Sequence, residues 1–125
     1  MRILGFSKKW PKLQQREFTT FRYPRKDAIK GRDWHLGETV KIVYHPRHEA
    51  EYLGVARIVG KEPKQAQMIT NEEAVADGFK DTTVMMDFLD PPTGYTVINK
   101  LTLLWLTQPP QLPGASGAEQ EVKGE

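Results

Sequence analysis

The sequence predicts an α+β fold, a small, partly closed mixed β-barrel with short flanking helices. Three features predict it. Strand-like stretches recur over residues 1–6, 17–22, 39–44 and 52–59; two short capped helices fit within 70–89; and a bulky, β-branched run closes the ordered part at 97–107.

Met1 to Phe6 is a short apolar run suited to a first strand. Ser7 then reads as the N-cap of a helix ending by Arg16, with Trp10 and Leu13 on one face and Pro11 tolerated in the first turn. Glu17-Phe18-Thr19-Thr20-Phe21-Arg22 mixes aromatic and β-branched residues, so it predicts a strand that Tyr23-Pro24 stops. The polar and basic stretch from Pro24 to Leu36, with a turn at Gly31-Arg32-Asp33, predicts a surface loop anchored by Trp34.

Thr39 to Tyr44 alternates Val40, Ile42 and Tyr44 with other residues and predicts a strand. Tyr52 to Val59 makes its antiparallel return. Gly54 within that return suggests a bulge or a close backbone approach, Gly60 breaks it, and Lys61 to Ala66 continues as a curved extension. Thr70-Asn71-Glu72-Glu73 is a capping box for a helix to about Asp77, with Gly78 as its left-handed cap. Asp81 caps a second helix from Thr82 to about Leu89, with an apolar stripe of Val84, Met85, Phe88 and Leu89 and a stop at Asp90-Pro91-Pro92. Val97 to Thr107 reads as the most buried strand, expected to close the sheet onto the first one. Residues 108–125 hold prolines, glycines and charges, and predict a disordered tail after a single domain at 1–107.

The 125 residues suffice to bury roughly two thirds of the unfolded surface, so the chain needs no staple. The absence of cysteine removes disulfide scaffolds and thiolate metal sites. No apolar run approaches the roughly 18 residues of a membrane span, and the N-terminus lacks a signal-peptide core, so no membrane association is expected and the chain is read as cytoplasmic. Charge is divided unevenly. Residues 1–35 hold ten basic and three acidic side chains (+7), leaving −5 on the remainder of a chain whose net charge is +2. With Trp10, Phe18, Phe21, Tyr23 and Trp34 among those charges, the basic segment suits phosphate contact and base stacking.

His45 and His48 lie three apart across a turn with no third histidine nearby and no cysteine, so no metal site is expected. No glycine-rich phosphate loop and no Ser-His-Asp arrangement is found, and no cofactor is expected. The strongest signal is Thr20 and Arg22, two apart on one strand and therefore on one face, where a hydroxyl and a guanidinium fork can hold an oxyanion or a base edge. Asp77 sits at the negative end of its helix, an unfavourable place for an acid unless it faces a cation such as Arg22 or serves as a general base beside Thr20.

Taken together, Phe6-Ser7-Lys8-Lys9-Trp10, the Phe18-to-Arg22 strand, the segment from His35 to Val43, Leu53 to Ile58, and Glu73 to Phe79 resemble the ASCH domain over about residues 1–105. The resemblance implies a PUA-like barrel, used for RNA and modified-base recognition, with a cleft between the T-x-R strand and the helix carrying the acid. Some members are amidohydrolases of acylated cytidine that use a lysine, a threonine and a glutamate, and ribonuclease activity occurs in others. By position Thr20 matches the threonine, Arg22 the arginine and Asp77 the acid, while the lysine three before the threonine is here Glu17. A carboxylate cannot supply that amine; Lys12 or Lys26 could substitute from another direction, though nothing in the sequence requires it.

The leading expectation is therefore an RNA- or nucleotide-binding module, monomeric, with Thr20, Arg22, Lys9, Trp10, Arg25 and Lys26 contacting the ligand. The alternatives are a small hydrolase, an amidohydrolase of modified cytidine or a ribonuclease, with Thr20 and Asp77 in the chemistry, and a protein-interaction barrel.

Overall fold

A computed structural model describes residues 1–24, 33–45 and 49–111. Strands β1 (Arg2–Phe6), β2 (Glu17–Arg22), β3 (Thr39–Tyr44), β4 (Glu51–Gln65) and β5 (Val97–Trp105) form one mixed sheet in the order β1-β3-β4-β5-β2. Among the described residues only the β1–β3 pairing is parallel. Helices α1 (Asn71–Asp77) and α2 (Thr82–Leu89) come between β4 and β5. The domain is a small α+β unit, and the sheet is not closed: its outer strands, β1 and β2, are not paired with each other.

Several boundaries follow from local chemistry as the sequence predicts. Thr70 Oγ1 accepts from the Glu73 amide while the Glu73 carboxylate accepts from the Thr70 amide, so both halves of the capping box are made. Gly78 ends α1 at φ 113°, a conformation that side chains resist, and a Cβ there would lie 2.7 Å from the Trp10 ring. Asp81 caps α2 by accepting from the Val84 amide. Gly54 fulfils both of its expectations: the β3–β4 register shifts beside it, and a Cβ there would collide with Thr107 Oγ1.

Four expectations are corrected. Ser7 caps no helix; the segment folds only into a 3-10 turn, Pro11–Gln14, because Trp10, preceding a proline, stays extended and caps nothing with its side chain. Gly60 does not end a strand. β4 runs fifteen residues, and its register against β5 shifts between Ile58 and Gly60 instead. Nor does β5 pair with β1. β4 lies between them, pairing with β3 over 51–57 on one side and with β5 over 56–65 on the other, so β5 is carried away from β1 and takes β2 on its free side. The apolar stripe of α2 is incomplete: Met85 is fully buried, but Phe88 is 53% exposed.

Leu4, Ile42, Ile58, Ile98, Leu101, Leu103 and Trp105 are fully buried and form the centre of the core. As predicted, Trp34 is buried, although most of its loop and the turn at Gly31–Arg32 lie outside the described residues, as does nearly all of the predicted tail. Trp105 Nε1 donates to the Leu13 carbonyl at 3.0 Å, and the Trp105 amide donates to Arg16 O at 3.0 Å. These bonds fasten the 3-10 turn across the end of β5, and so fix where Lys12 points.

Candidate functional site

The two outer strands make the walls of a cleft. Phe6 from β1 and Phe18 from β2 touch across the seam, their ring centroids 6.2 Å apart. Beside them opens a cavity of about 290 Å³ lined by Phe6, Trp10, Lys12, Thr20, Arg22 and Asp77, with Tyr23, Phe79 and Phe88 among the residues at its sides.

Strand pleating puts Thr20 and Arg22 on one face, as the sequence predicts, and Arg22 Nε donates to Thr20 Oγ1 at 3.2 Å. The guanidinium carbon stands 4.6 Å from the centre of the Phe6 ring, within cation–π range. Those two contacts hold Arg22 in place, yet among the described residues its two terminal amino groups have no hydrogen-bond partner. Burial lowers its pKa from 12.5 to about 10 although Asp77 pulls the other way, so the guanidinium remains charged at neutral pH. Thr20, 4% exposed, spends its oxygen as the acceptor for Arg22 and keeps its own hydrogen for an acceptor in the cleft.

Asp77 reaches this face because α1 ends against β2. It is 4% exposed, pairs with the Lys12 ammonium and accepts from the Phe21 amide. Lys12 also donates to the Thr19 carbonyl at 2.7 Å. Burial pushes the Asp77 pKa up, against the charge and hydrogen bond of Lys12, the charge of Arg22 and the Phe21 amide. Burial likewise pushes Lys12 down, with Arg22 adding to the effect and Asp77 opposing it.

The structure thus brings together Thr20, Arg22, Asp77 and Trp10, the last as a buried wall. Lys9 lies elsewhere: its ammonium pairs with Glu51 at 2.9 Å and sits 4.9 Å from the Tyr44 ring centre, and it does not line the cleft. Arg25, Lys26 and His48 lie outside the described residues. The residue missing from the expected ligand contacts is Lys12, offered by the sequence only as one possible stand-in for the absent lysine. Its signal was a lysine wedged between Trp10 and Leu13, two core residues, behind a proline that forces a turn too tight to carry it out to solvent. Glu17, which occupies the position of the expected lysine, is exposed and contributes nothing here.

Among the described residues no cluster of histidine, cysteine and acids could hold a metal ion, and no helix is long and apolar enough to cross a membrane. Comparison of the chain with protein-family models, with curated proteins and with solved structures finds no match.

Proposed function

We propose that the cleft binds one nucleotide unit, free or as part of RNA, in a PUA-like domain whose strands curl into a barrel left open at the β1–β2 seam. The observation that carries this reading is Arg22: a desolvated guanidinium braced by Thr20 and Phe6, with the donors of both terminal amino groups unspent. The site is rich in donors. The Arg22 fork, the Thr20 hydroxyl and the third hydrogen of Lys12 all lack an acceptor among the described residues, so they call for a phosphate or an acceptor-bearing base edge. Two cations against one carboxylate leave a positive balance, and the phenyl and indole walls suit the apolar faces of a nucleotide. A cavity of about 290 Å³ is at the small end for ligand sites and fits a single unit.

The test is titration of nucleoside monophosphates and a short single-stranded RNA at increasing salt. Binding is expected at low salt, with a log–log slope of roughly 0.7 to 0.9 per neutralised phosphate, and Arg22→Ala is expected to abolish it. Absence of binding at low salt, or binding indifferent to Arg22→Ala, would falsify the proposal.

A second reading, a small amidohydrolase of an acylated cytidine, is favoured by one observation: Lys12 supplies, from the 3-10 turn, the buried amine that Glu17 lacks, paired with Asp77 and bonded to the backbone next to Thr20. Water would cleave the amide into a carboxylate and the exocyclic amine, with Thr20 and Asp77 in the chemistry and Arg22 stabilising the developing oxyanion. Turnover of N4-acylated cytidine that disappears in both Thr20→Ala and Lys12→Met supports it; turnover persisting in Thr20→Ala, or none in the wild type, rejects it.

A further inference from the structure

Phe88 is the least explained side chain around the cleft. It sits in a helix whose neighbouring apolar residues do what apolar residues do: Met85 is fully buried, and Val84 and Leu89 pack against the core. Phe88 instead leaves 53% of its surface open while lining the cavity that holds Arg22. Single exposed apolar side chains such as Leu36 and Met68 are ordinary on a protein surface. Phe88 differs from them because other rings back it. Its centroid lies 5.3 Å from Phe79 and 6.2 Å from Trp10, the latter edge-on at 85°, and both of those rings are buried. Trp10 and Phe79 are themselves 5.1 Å apart, so the three aromatics form one continuous shelf of which Phe88 is the outer, open member.

The shelf is also fixed in position relative to the polar corner. Tyr23, which directly follows β2 and therefore Arg22, donates from its hydroxyl to the Leu89 carbonyl at 2.7 Å. That bond ties the end of α2, one residue beyond Phe88, to the end of the strand that carries Thr20 and Arg22. Tyr23 is itself 38% exposed and lines the same cavity. An open ring and an unspent guanidinium fork that line one small cavity suit a ligand with an anionic end and a planar end.

We propose that Phe88 is the specificity-determining residue of this cleft, a stacking shelf for the planar heteroaromatic ring of a ligand whose anionic group is held by Arg22. The inference rests on the nucleotide-binding reading above and adds to it: the ring, and not the phosphate alone, sets the affinity. Aromatic shelves of this kind tolerate different bases, because every base offers a π face. Discrimination is therefore expected between ligands with and without a ring, and only weakly among the four bases.

The experiment titrates inorganic phosphate, ribose 5-phosphate and the four nucleoside monophosphates into wild-type protein, Phe88→Ala, Phe88→Leu and Phe88→Tyr at one low salt concentration. Stacking of one base supports a preference of roughly 5- to 150-fold for the monophosphates over ribose 5-phosphate in the wild type. Phe88→Ala is expected to erase that preference while leaving ribose 5-phosphate binding unchanged, and Phe88→Tyr to retain it. Phe88→Leu keeps apolar bulk without a π face, so loss of the preference in this variant too shows that stacking, not packing, is responsible. Three results overturn the inference: a preference that survives Phe88→Ala, a preference equal in Phe88→Leu and wild type, or a parallel fall of ribose 5-phosphate and nucleotide binding in Phe88→Ala. Each of these leaves Arg22-dependent phosphate binding, and the parent reading, standing. Failure of every ligand to bind wild-type protein overturns both.

Discussion

Two carboxylates four residues apart on the same short helix have opposite fates. Glu73, in the first turn of α1, accepts from Lys64 and from Lys100, each at 2.8 Å, and from the Thr70 amide; although burial pushes its pKa up, those bonds and the charge of Lys100 prevail and bring it from 4.5 down to about 2. Asp77, in the last turn, has one lysine, lies deeper, and is shifted up. Glu73 also sits at the positive end of the helix dipole and Asp77 at the negative end. The difference separates a carboxylate placed for stability from one held at a cost to it. Every group around Glu73 serves the fold, linking β4, β5 and the start of α1. Asp77 is buried beside an equally buried lysine and near an arginine with donors to spare, the arrangement on which the proposed ligand site rests.

The largest effect expected from breaking this contrast is at the buried pair. Asp77→Asn leaves Lys12 buried without its counter-charge and should cost about 3–5 kcal/mol of stability, measured by urea unfolding, along with loss of nucleotide binding. The double variant Lys12→Met/Asp77→Leu replaces the pair with apolar groups of similar volume. It is expected to unfold within about 1 kcal/mol of wild type, or above it, while remaining unable to bind. A double variant that binds normally would show that the pair serves only the fold, erasing the distinction from Glu73.

Why the sequence reveals Glu73 more readily than Asp77 is a matter of range. The capping box is local: Thr70 and Glu73 are three residues apart, so their spacing alone specifies both hydrogen bonds. The T-x-R pair is local too, fixed by the two-residue period of a strand. Lys12 and Asp77 are 65 residues apart, and no spacing encodes their meeting. It depends on a turn that Pro11 tightens, on Trp105 fastening that turn, and on Gly78 letting α1 end against Trp10. Strand order escapes for the same reason. The length of β4, which lets it pair with β3 over 51–57 and with β5 over 56–65, determines the order, and Gly60 disguised that length by resembling a break. The stripe on α2 is a third case: helical period groups Phe88 with Met85, but tertiary neighbours decide which of the two is covered.

A smaller effect sharpens the other side of the contrast. Glu73→Gln keeps a side chain able to complete the capping box but removes the charge that Lys64 and Lys100 share. Allowing for solvent screening of partly exposed lysines, the loss is about 1–2 kcal/mol near neutral pH, with nucleotide binding unchanged. The pH dependence follows from the direction of the shift. Because the folded value of about 2 lies below the ordinary 4.5, the unfolded chain binds more protons between them, so Glu73 contributes its stability above about pH 4.5 and loses it as pH falls toward 2. Unfolding free energy measured from pH 6 to 2 should fall more steeply in wild type than in Glu73→Gln. Asp77, raised from its ordinary 3.8, has the opposite sign: its ionisation opposes folding as pH rises above that value. Equal slopes in wild type and Glu73→Gln would mean that the lysines add nothing to Glu73.

The smallest effect isolates the cap from the ion pairs. In Thr70→Ala the Glu73 amide loses the hydroxyl that accepts from it at 3.1 Å, while the Glu73 carboxylate keeps both lysines and the amide of residue 70. The cost should be about 1 kcal/mol, and Thr70→Ser should recover most of it, because serine offers the same acceptor. Nucleotide affinity should not change. Asp77 is held from outside its helix, by Lys12 on the 3-10 turn and by the Phe21 amide on β2, and not by the turn that Thr70 nucleates. A fall in affinity accompanying the fall in stability would instead make α1 a single lever, with its capped end setting the position of Asp77, and the two carboxylates would have to be regarded as one coupled unit.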